Sequence, residues 1–417
     1  SSVGLVASEA GSTNVINVNN SKITSESTGV IVTDTLTLNI LGCELYGDFK
    51  PITISAIGDA IITYTHLECT AVTGGTFTTV ETTGVLNLEI SDCTLASANN
   101  HRLEIHDLTS VKHNRNIHQT SGEDGNIPLK IHTNTVATAV EVYNNIIFIN
   151  ADIGGIIQIG NRGLTGDNLI TGAVKNNNCF GQAFYHPELD PTQHGITIFW
   201  QNQIQVHHNR INGSGIGLVF KSNSDDFSAV GCNSNIIINC STAITGKGTK
   251  NLKIYGNTIY YDKGIDVNGI YILDTDLNED SDGCIVKNNI IYDNTPATVA
   301  GFRCITIEGT STGLVFDYNI IYSANNDITD IGDGSWSAWQ TAGYDANGLN
   351  VIPNFTDKLT YDLSLKAISE AIGAGETLAA AYDDGIDAST NWGDASTVPV
   401  VVTKQQAAPW DIGAYIS

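Results

Sequence analysis

Glu141-Val-Tyr-Asn-Asn145-Ile-Ile, Ile285-Val-Lys-Asn-Asn289-Ile-Ile and Val315-Phe-Asp-Tyr-Asn319-Ile-Ile share one pattern. Alternating residues lead into one or two polar turn residues ending in Asn, and an apolar doublet follows. The alternation has the period of a strand with one buried and one exposed face. Asn is disfavoured inside helices and strands, but it tolerates the left-handed backbone of a tight turn. The stretch therefore reads as strand, sharp turn, strand.

The same register recurs at Ala173-Val-Lys-Asn-Asn177, Gln205-Val-His-His-Asn209 and Lys253-Ile-Tyr-Gly-Asn257. Extended both ways, it gives Asn20, Cys43, Cys69, Cys93, Asn114, Asn145, Asn177, Asn209, Asn235, Asn257, Asn289 and Asn319, in steps of 21 to 32 residues. A coil of three short strands accounts for the shortest steps, and loops of variable length account for the rest. A second alternating strand lies upstream in most repeats, as in Arg102-Leu-Glu-Ile-His106, Leu129-Lys-Ile-His132, Gly269-Ile-Tyr-Ile-Leu273 and Cys304-Ile-Thr-Ile-Glu308. Of the 41 Asn in the 417 residues, 39 precede residue 351, so the repeat does not run to the end.

This pattern resembles the right-handed parallel β-helix proteins, in which an Asn ladder occupies the turn between the second and third sheets. The resemblance implies an all-β chain: a right-handed parallel β-helix of twelve coils with an Asn/Cys ladder over residues 1–330, then an irregular C-terminal cap over 331–417. Each Asn amide would bond its equivalent one coil away, and Cys at early rungs would be a small apolar filler. The closing stretches Gly343-Tyr-Asp-Ala-Asn-Gly-Leu-Asn350, Pro353-Asn-Phe355, Ser369-Glu-Ala-Ile-Gly-Ala-Gly375 and Asp411-Ile-Gly-Ala-Tyr415 look like the "DPLF…SPAIDAG…DIGAYE" ending of many secreted bacterial β-helix proteins. They depart from it at Glu370, Gly373 and Ile416. Such a segment shields exposed strand edges and core, and Trp336, Trp339 and Trp392 are expected to pack within it.

The 19 Lys and Arg face 44 Asp and Glu, a net charge of −25. Without a basic stripe, nucleic-acid binding is excluded as an expectation. No apolar run approaches the roughly 18 residues of a membrane span. The chain opens on Ser1 and has no Met, which fits cleavage of a leader and equally fits trimming; an extracellular or secreted location is the expectation, with a virion surface for the alternative reading given below. Among the eight Cys, Cys232 and Cys240 are the expected disulfide, and no Cys/His spacing points to zinc.

In a parallel β-helix the exposed face of one sheet forms a long groove. Registering the upstream strands groups Glu104, His106, Lys130 and His132 on neighbouring coils. These residues, with Lys221, are the catalytic candidates, because an amine or imidazole beside a carboxylate can transfer protons. The alternative is a solvated face of surface ion pairs. Arg162, Trp200, Tyr271, His194 and Glu308 along the face are expected to bind substrate, with the 180–194 insertion overhanging it. Asp274, Asp276, Asn278, Asp280 and Asp282 offer oxygen ligands at alternate positions, which suits Ca²⁺. Asn289 stands where an EF-hand needs Glu, so the choice is an isolated calcium loop or a solvated acidic turn.

The resemblance implies an extracellular protein acting on a polysaccharide or cell-surface glycan, of the polysaccharide-lyase-like kind. Lys130, with His132 or His106 assisting, would take the proton α to a uronate carboxylate while a cation neutralises that carboxylate. The charge of −25 weighs against a polyuronate, so a glycoside hydrolase using Glu104, Asp225, Asp226 or Glu308 stays open. The other class is a non-catalytic receptor-binding protein, a phage tail spike or fibre, or a surface adhesin. A monomer is expected for the enzyme and a trimer for the tail spike.

Overall fold

The computed structural model describes residues 5–8, 15–26, 28–33, 37–47, 50–55, 58–69, 77–83, 87–97, 101–121, 127–133, 137–150, 154–160, 170–181, 193–199, 203–228, 230–263, 267–274, 280–295, 302–325, 327–394 and 396–417. Three sheets of twelve strands dominate, and successive strands go to the first, second and third sheet in turn. The described pairings between coils are parallel and the fold is a parallel β-helix. The chain divides into two compact units: 1–185, 192–203 and 393–399 in one, 186–191, 204–392 and 400–417 in the other.

In the first unit, strand Thr138–Tyr143 shows how a coil forms. Val140 and Val142 are fully buried while Ala139 and Glu141 face out. In-register stacking puts like on like: Leu88, Val111 and Val140 align in one inward column, and Leu67 and Leu95 in another. Each fully buried aliphatic contributes about 1.5–3 kcal/mol. Two histidines stand in inward columns of this kind. His113 follows Ile90 in the second sheet, and His118 follows Leu95 in the third. Both are buried, with His118 Nε2 3.1 Å from His113 Nε2. Burial pushes the His113 imidazole down to about 4.

The turn residues correct the expected register. A left-handed residue precedes each inward one: Gly42 before Cys43, Tyr64 before Thr65, Asp92 before Cys93, Arg115 before Asn116, Asn144 before Asn145. Asn20 is itself left-handed, which shifts the rung to Ser21. Cys69 ends the strand His66–Cys69, and its rung is Thr65, whose Oγ1 lies 3.5 Å from Cys43 N. Asn114 ends its strand, and Asn116 is the rung, accepting from Cys93 N at 2.9 Å. The turn needs two residues, one left-handed and one inward, and a polar residue suits both.

The second unit carries the cleaner ladder. Asn209, Asn235, Asn257 and Asn289 each donate from Nδ2 to the Oδ1 of the next Asn at 3.0 Å. The backbone N–H of each also donates to that oxygen. Asn319 passes the row to Asp345, donating to Oδ1 from N at 3.0 Å and Nδ2 at 2.8 Å. All the amides point one way, so the row has an aligned dipole whose positive end meets a carboxylate, as at a helix N-terminus.

The C-terminal segment does two jobs within this unit. Its first part closes the last coil: the short helix Trp336–Thr341 is capped by Ser335 Oγ, Trp339 Nε1 donates to Asp345 Oδ2 at 2.8 Å, and Leu349 bridges to Ile320. The rest lies along the outer face of the third sheet. Ile236, Ile238, Tyr260, Ile290, Tyr292 and Ile320 are covered there by Phe355, Leu363, Ile386, Ile412 and Tyr415. That cover explains why Ile236–Ile238 and Thr258–Tyr261 are buried on both faces instead of alternating. Trp339 is fully buried, and Trp392 donates to Tyr415 Oη at 3.1 Å.

The expected disulfide is not formed. Cys232 and Cys240 are free, buried thiols. Cys232 sits in a strand of the second sheet beside Val206 and Ile254, and Cys240 lies beyond the following strand, near Ser214 Oγ at 3.5 Å. The turn between them sends the two side chains to different packing sites. Among the described residues seven Cys are free and buried, which is the filler role.

Candidate active site

Parallel pairing of strand His101–His106 with Leu129–His132 sets Glu104 opposite Lys130 and His106 opposite His132. The intervening Leu103, Ile105, Leu129 and Ile131 point inward and are buried, anchoring both strands. The polar residues therefore share the other face. The column continues through Gln158 and Thr197 on the next coils.

One oxygen organises the cluster. Glu104 Oε1 lies 3.0 Å from Lys130 Nζ, 3.3 Å from His132 Nε2 and 3.3 Å from His106 Nε2. The two imidazoles meet edge to face with centroids 3.7 Å apart. Lys130 and His132 are only 9 % and 5 % exposed, while Glu104 and His106 are half-buried, so the cluster has a buried floor and an accessible rim. Desolvation holds the His132 imidazole below its ordinary value, against the Glu104 hydrogen bond and with repulsion from His106 and Lys130. Its Nδ1 is buried without a hydrogen-bond partner among the described residues, while Nε2 faces the Glu104 carboxylate, which favours the proton on Nε2. The arrangement can donate three N–H groups to an anion and exchange protons with it.

The remaining candidates lie elsewhere. His194, in the first unit, has Nδ1 3.3 Å from Thr197 Oγ1. Arg162 and Trp200 are outside the described residues, as are Tyr185, His186, Glu188 and Asp190. In the second unit, Lys221 pairs in register with Lys247. The side chains of Asp225 and Asp226 are outside the described residues. Tyr271 and Glu308 do come together: Tyr271 Oη donates to Glu308 Oε2 at 2.5 Å. Burial and that carboxylate raise the Tyr271 phenol well above its ordinary value.

The acidic run behaves as a clip. Asp274 accepts from Thr310 N at 2.6 Å, Ser311 Oγ at 2.6 Å and Ser281 N at 3.4 Å. Burial alone would raise its carboxyl, but these bonds hold it below its ordinary value. Asp280 accepts from Thr310 Oγ1, and Asp282 from Thr312 N and Oγ1. Gly309 is required beside them, because a Cβ there would lie 1.9 Å from Asp274 Oδ2 at a φ of +100°. Asp276 and Asn278 are outside the described residues.

Sequence reading missed the buried His113 and His118; their alternating positions in strands were the available signal. Fold and cluster together define a parallel β-helix protein with a half-buried group of one carboxylate, two imidazoles and one amine on its first sheet. No family model matches the chain, and no curated protein matches it. Among the described residues, no helix is long and apolar enough to cross a membrane.

Proposed function

We propose that the protein is an extracellular glycan-active enzyme, a polysaccharide lyase acting by β-elimination, with its chemistry at Glu104, His106, Lys130 and His132. The observation that carries this reading is the convergence of three nitrogen groups on the half-buried Glu104 Oε1. A uronate carboxylate entering the cluster would meet the same donors, which favour the charge that develops as the α-proton leaves. Lys130, having passed one of its protons to His106 or His132, takes the α-proton as the free amine; the C4–O bond breaks, the imidazolium returns its proton to the departing oxygen, and the unsaturated sugar is left. Tyr271, Glu308 and His194 are proposed glycan contacts, and Ca²⁺ at the 274–282 run is a proposed structural ion.

The test is incubation with uronate-containing and neutral polysaccharides, following ultraviolet absorbance and reducing ends together. New absorbance that disappears in Lys130→Ala supports the lyase. Reducing ends without absorbance would replace it with a hydrolase. The net charge of −25 favours a second reading, a glycan-binding tail spike or adhesin. Glycan binding by a trimer with no product of either kind would establish that reading instead.

A further inference from the structure

We infer that Glu104, His106 and His132 form a binding site for a first-row divalent cation of the zinc type. The three residues each offer one ligand atom, and these atoms all lie within 4.8 Å of one another. Two atoms bound to one zinc at its usual bond lengths with a tetrahedral angle are about 3.4 Å apart. Both imidazole nitrogens stand 3.3 Å from Glu104 Oε1. Two of the three spacings already match a shared ion, and the third lies within 4.8 Å.

The donor set chooses the metal. Two imidazoles and one carboxylate suit zinc, cobalt, nickel or iron, whereas calcium and magnesium want oxygen throughout. Three protein ligands leave a coordination position for water or substrate, the arrangement of reactive and not of structural zinc sites. The scaffold is rigid where it needs to be: Ile105, between Glu104 and His106, and Ile131, next to His132, are 1 % exposed and fix both strands. His132 is nine-tenths buried with Nε2 3.3 Å from Glu104 Oε1, so binding exchanges that hydrogen bond for the bond to the ion, and the ring proton is released or shifted to Nδ1.

Lys130 is the competitor. Its ammonium sits 3.0 Å from the same oxygen, so it occupies the charge that the ion would use. Removing it while keeping the three ligands should tighten metal binding by about tenfold, the equivalent of one lost charge–charge contact. This inference uses the cluster but not its assignment to glycan chemistry, so the two fail separately.

The experiment is titration of the full chain with Co²⁺ alone, reading visible absorbance and bound metal per chain, beside Glu104→Gln, His106→Ala, His132→Ala and Lys130→Met, each checked for fold by circular dichroism. The expected result is one ion per chain with the intense absorption of a low-coordinate cobalt site, lost in the three ligand variants and tighter in Lys130→Met. Absence of stoichiometric Co²⁺ on the unmodified chain would overturn the site without recourse to any variant. So would binding that survives Glu104→Gln and His132→Ala, or binding lost in Lys130→Met, which retains every ligand. Metal binding without product formation on any glycan would leave the site standing and remove the lyase.

Discussion

Two polar constructions in this molecule, one buried and one half-buried, are built on opposite plans. In the Asn ladder of the second unit, each amide oxygen accepts from the next coil back, and each Nδ2 donates to the next coil forward and to a backbone carbonyl, as Asn257 does to Asn289 Oδ1 and Cys232 O. In the cluster of the first unit, Lys130, His106 and His132 crowd onto one oxygen of Glu104. The ladder is saturated and directional, so it holds coils in register. The cluster concentrates donors at one point, which an anion or a cation could rearrange. Satisfied polar networks rigidify a fold, whereas convergent ones are available for chemistry.

The largest expected effect separates the two plans by activity. Lys130→Ala should lower turnover of a responsive glycan by about 10²–10⁴-fold, while the same variant still melts cooperatively; an unchanged rate would break the assignment of chemistry to the cluster. Asn257→Ala should do the reverse. It strips partners from Asn235 N and Nδ2 and from Cys232 O, at a cost of about 3–5 kcal/mol, since several buried groups at about 1–3 kcal/mol each are left unpaired. Urea denaturation measures it, and glycan turnover per folded molecule should not change.

The ladder's terminus gives the next effect. Burial pushes the Asp345 carboxyl up to about 6 from 3.8, against the pull of Trp339 and Asn319. A folded value above the unfolded one means that the stabilising proton is held below about pH 4 and lost as pH rises through about 6. Stability of this unit should fall by on the order of 2–3 kcal/mol across that window. Asp345→Asn should flatten the slope. It should also cost about 1–2 kcal/mol at low pH, because its NH₂ would confront Trp339 Nε1 or Asn319 Nδ2. Thermal melts at a series of pH values read both. The smallest effect is expected at Tyr271→Phe. It removes a partly exposed hydrogen bond to Glu308 and should change stability by no more than about 0.5 kcal/mol. If it weakens glycan binding measurably by calorimetry, the second unit also takes part in recognition.

Much of the architecture was legible because a solenoid repeats its solution. Ile-Ile after Asn145, Asn289 and Asn319 marks a strand leaving a turn, and the structure places Ile146, Ile290 and Ile320 there. The reading slipped at Asn20, Cys69 and Asn114. A turn of two residues with different backbone demands offers two places for a polar residue, and side-chain type does not say which one faces inward. The disulfide between Cys232 and Cys240 failed for a related reason: spacing along the chain carries no information about which sheet each residue joins. The grouping of Glu104, His106, Lys130 and His132 was legible because both strands follow the same period.

By itself, then, the sequence determined the strand period, the recurrence of the turn and the likeness between coils, because these depend on neighbours a few residues apart. Tertiary structure alone decided that Glu104 Oε1 would gather Lys130 Nζ from 26 positions away, and that Lys130 and His132 would be buried. It also decided that the ladder would end on Asp345 and that the C-terminal segment would cover the third sheet. Each of these depends on register between coils and on what packs over a face, and those are set by contacts between segments that the chain order leaves far apart.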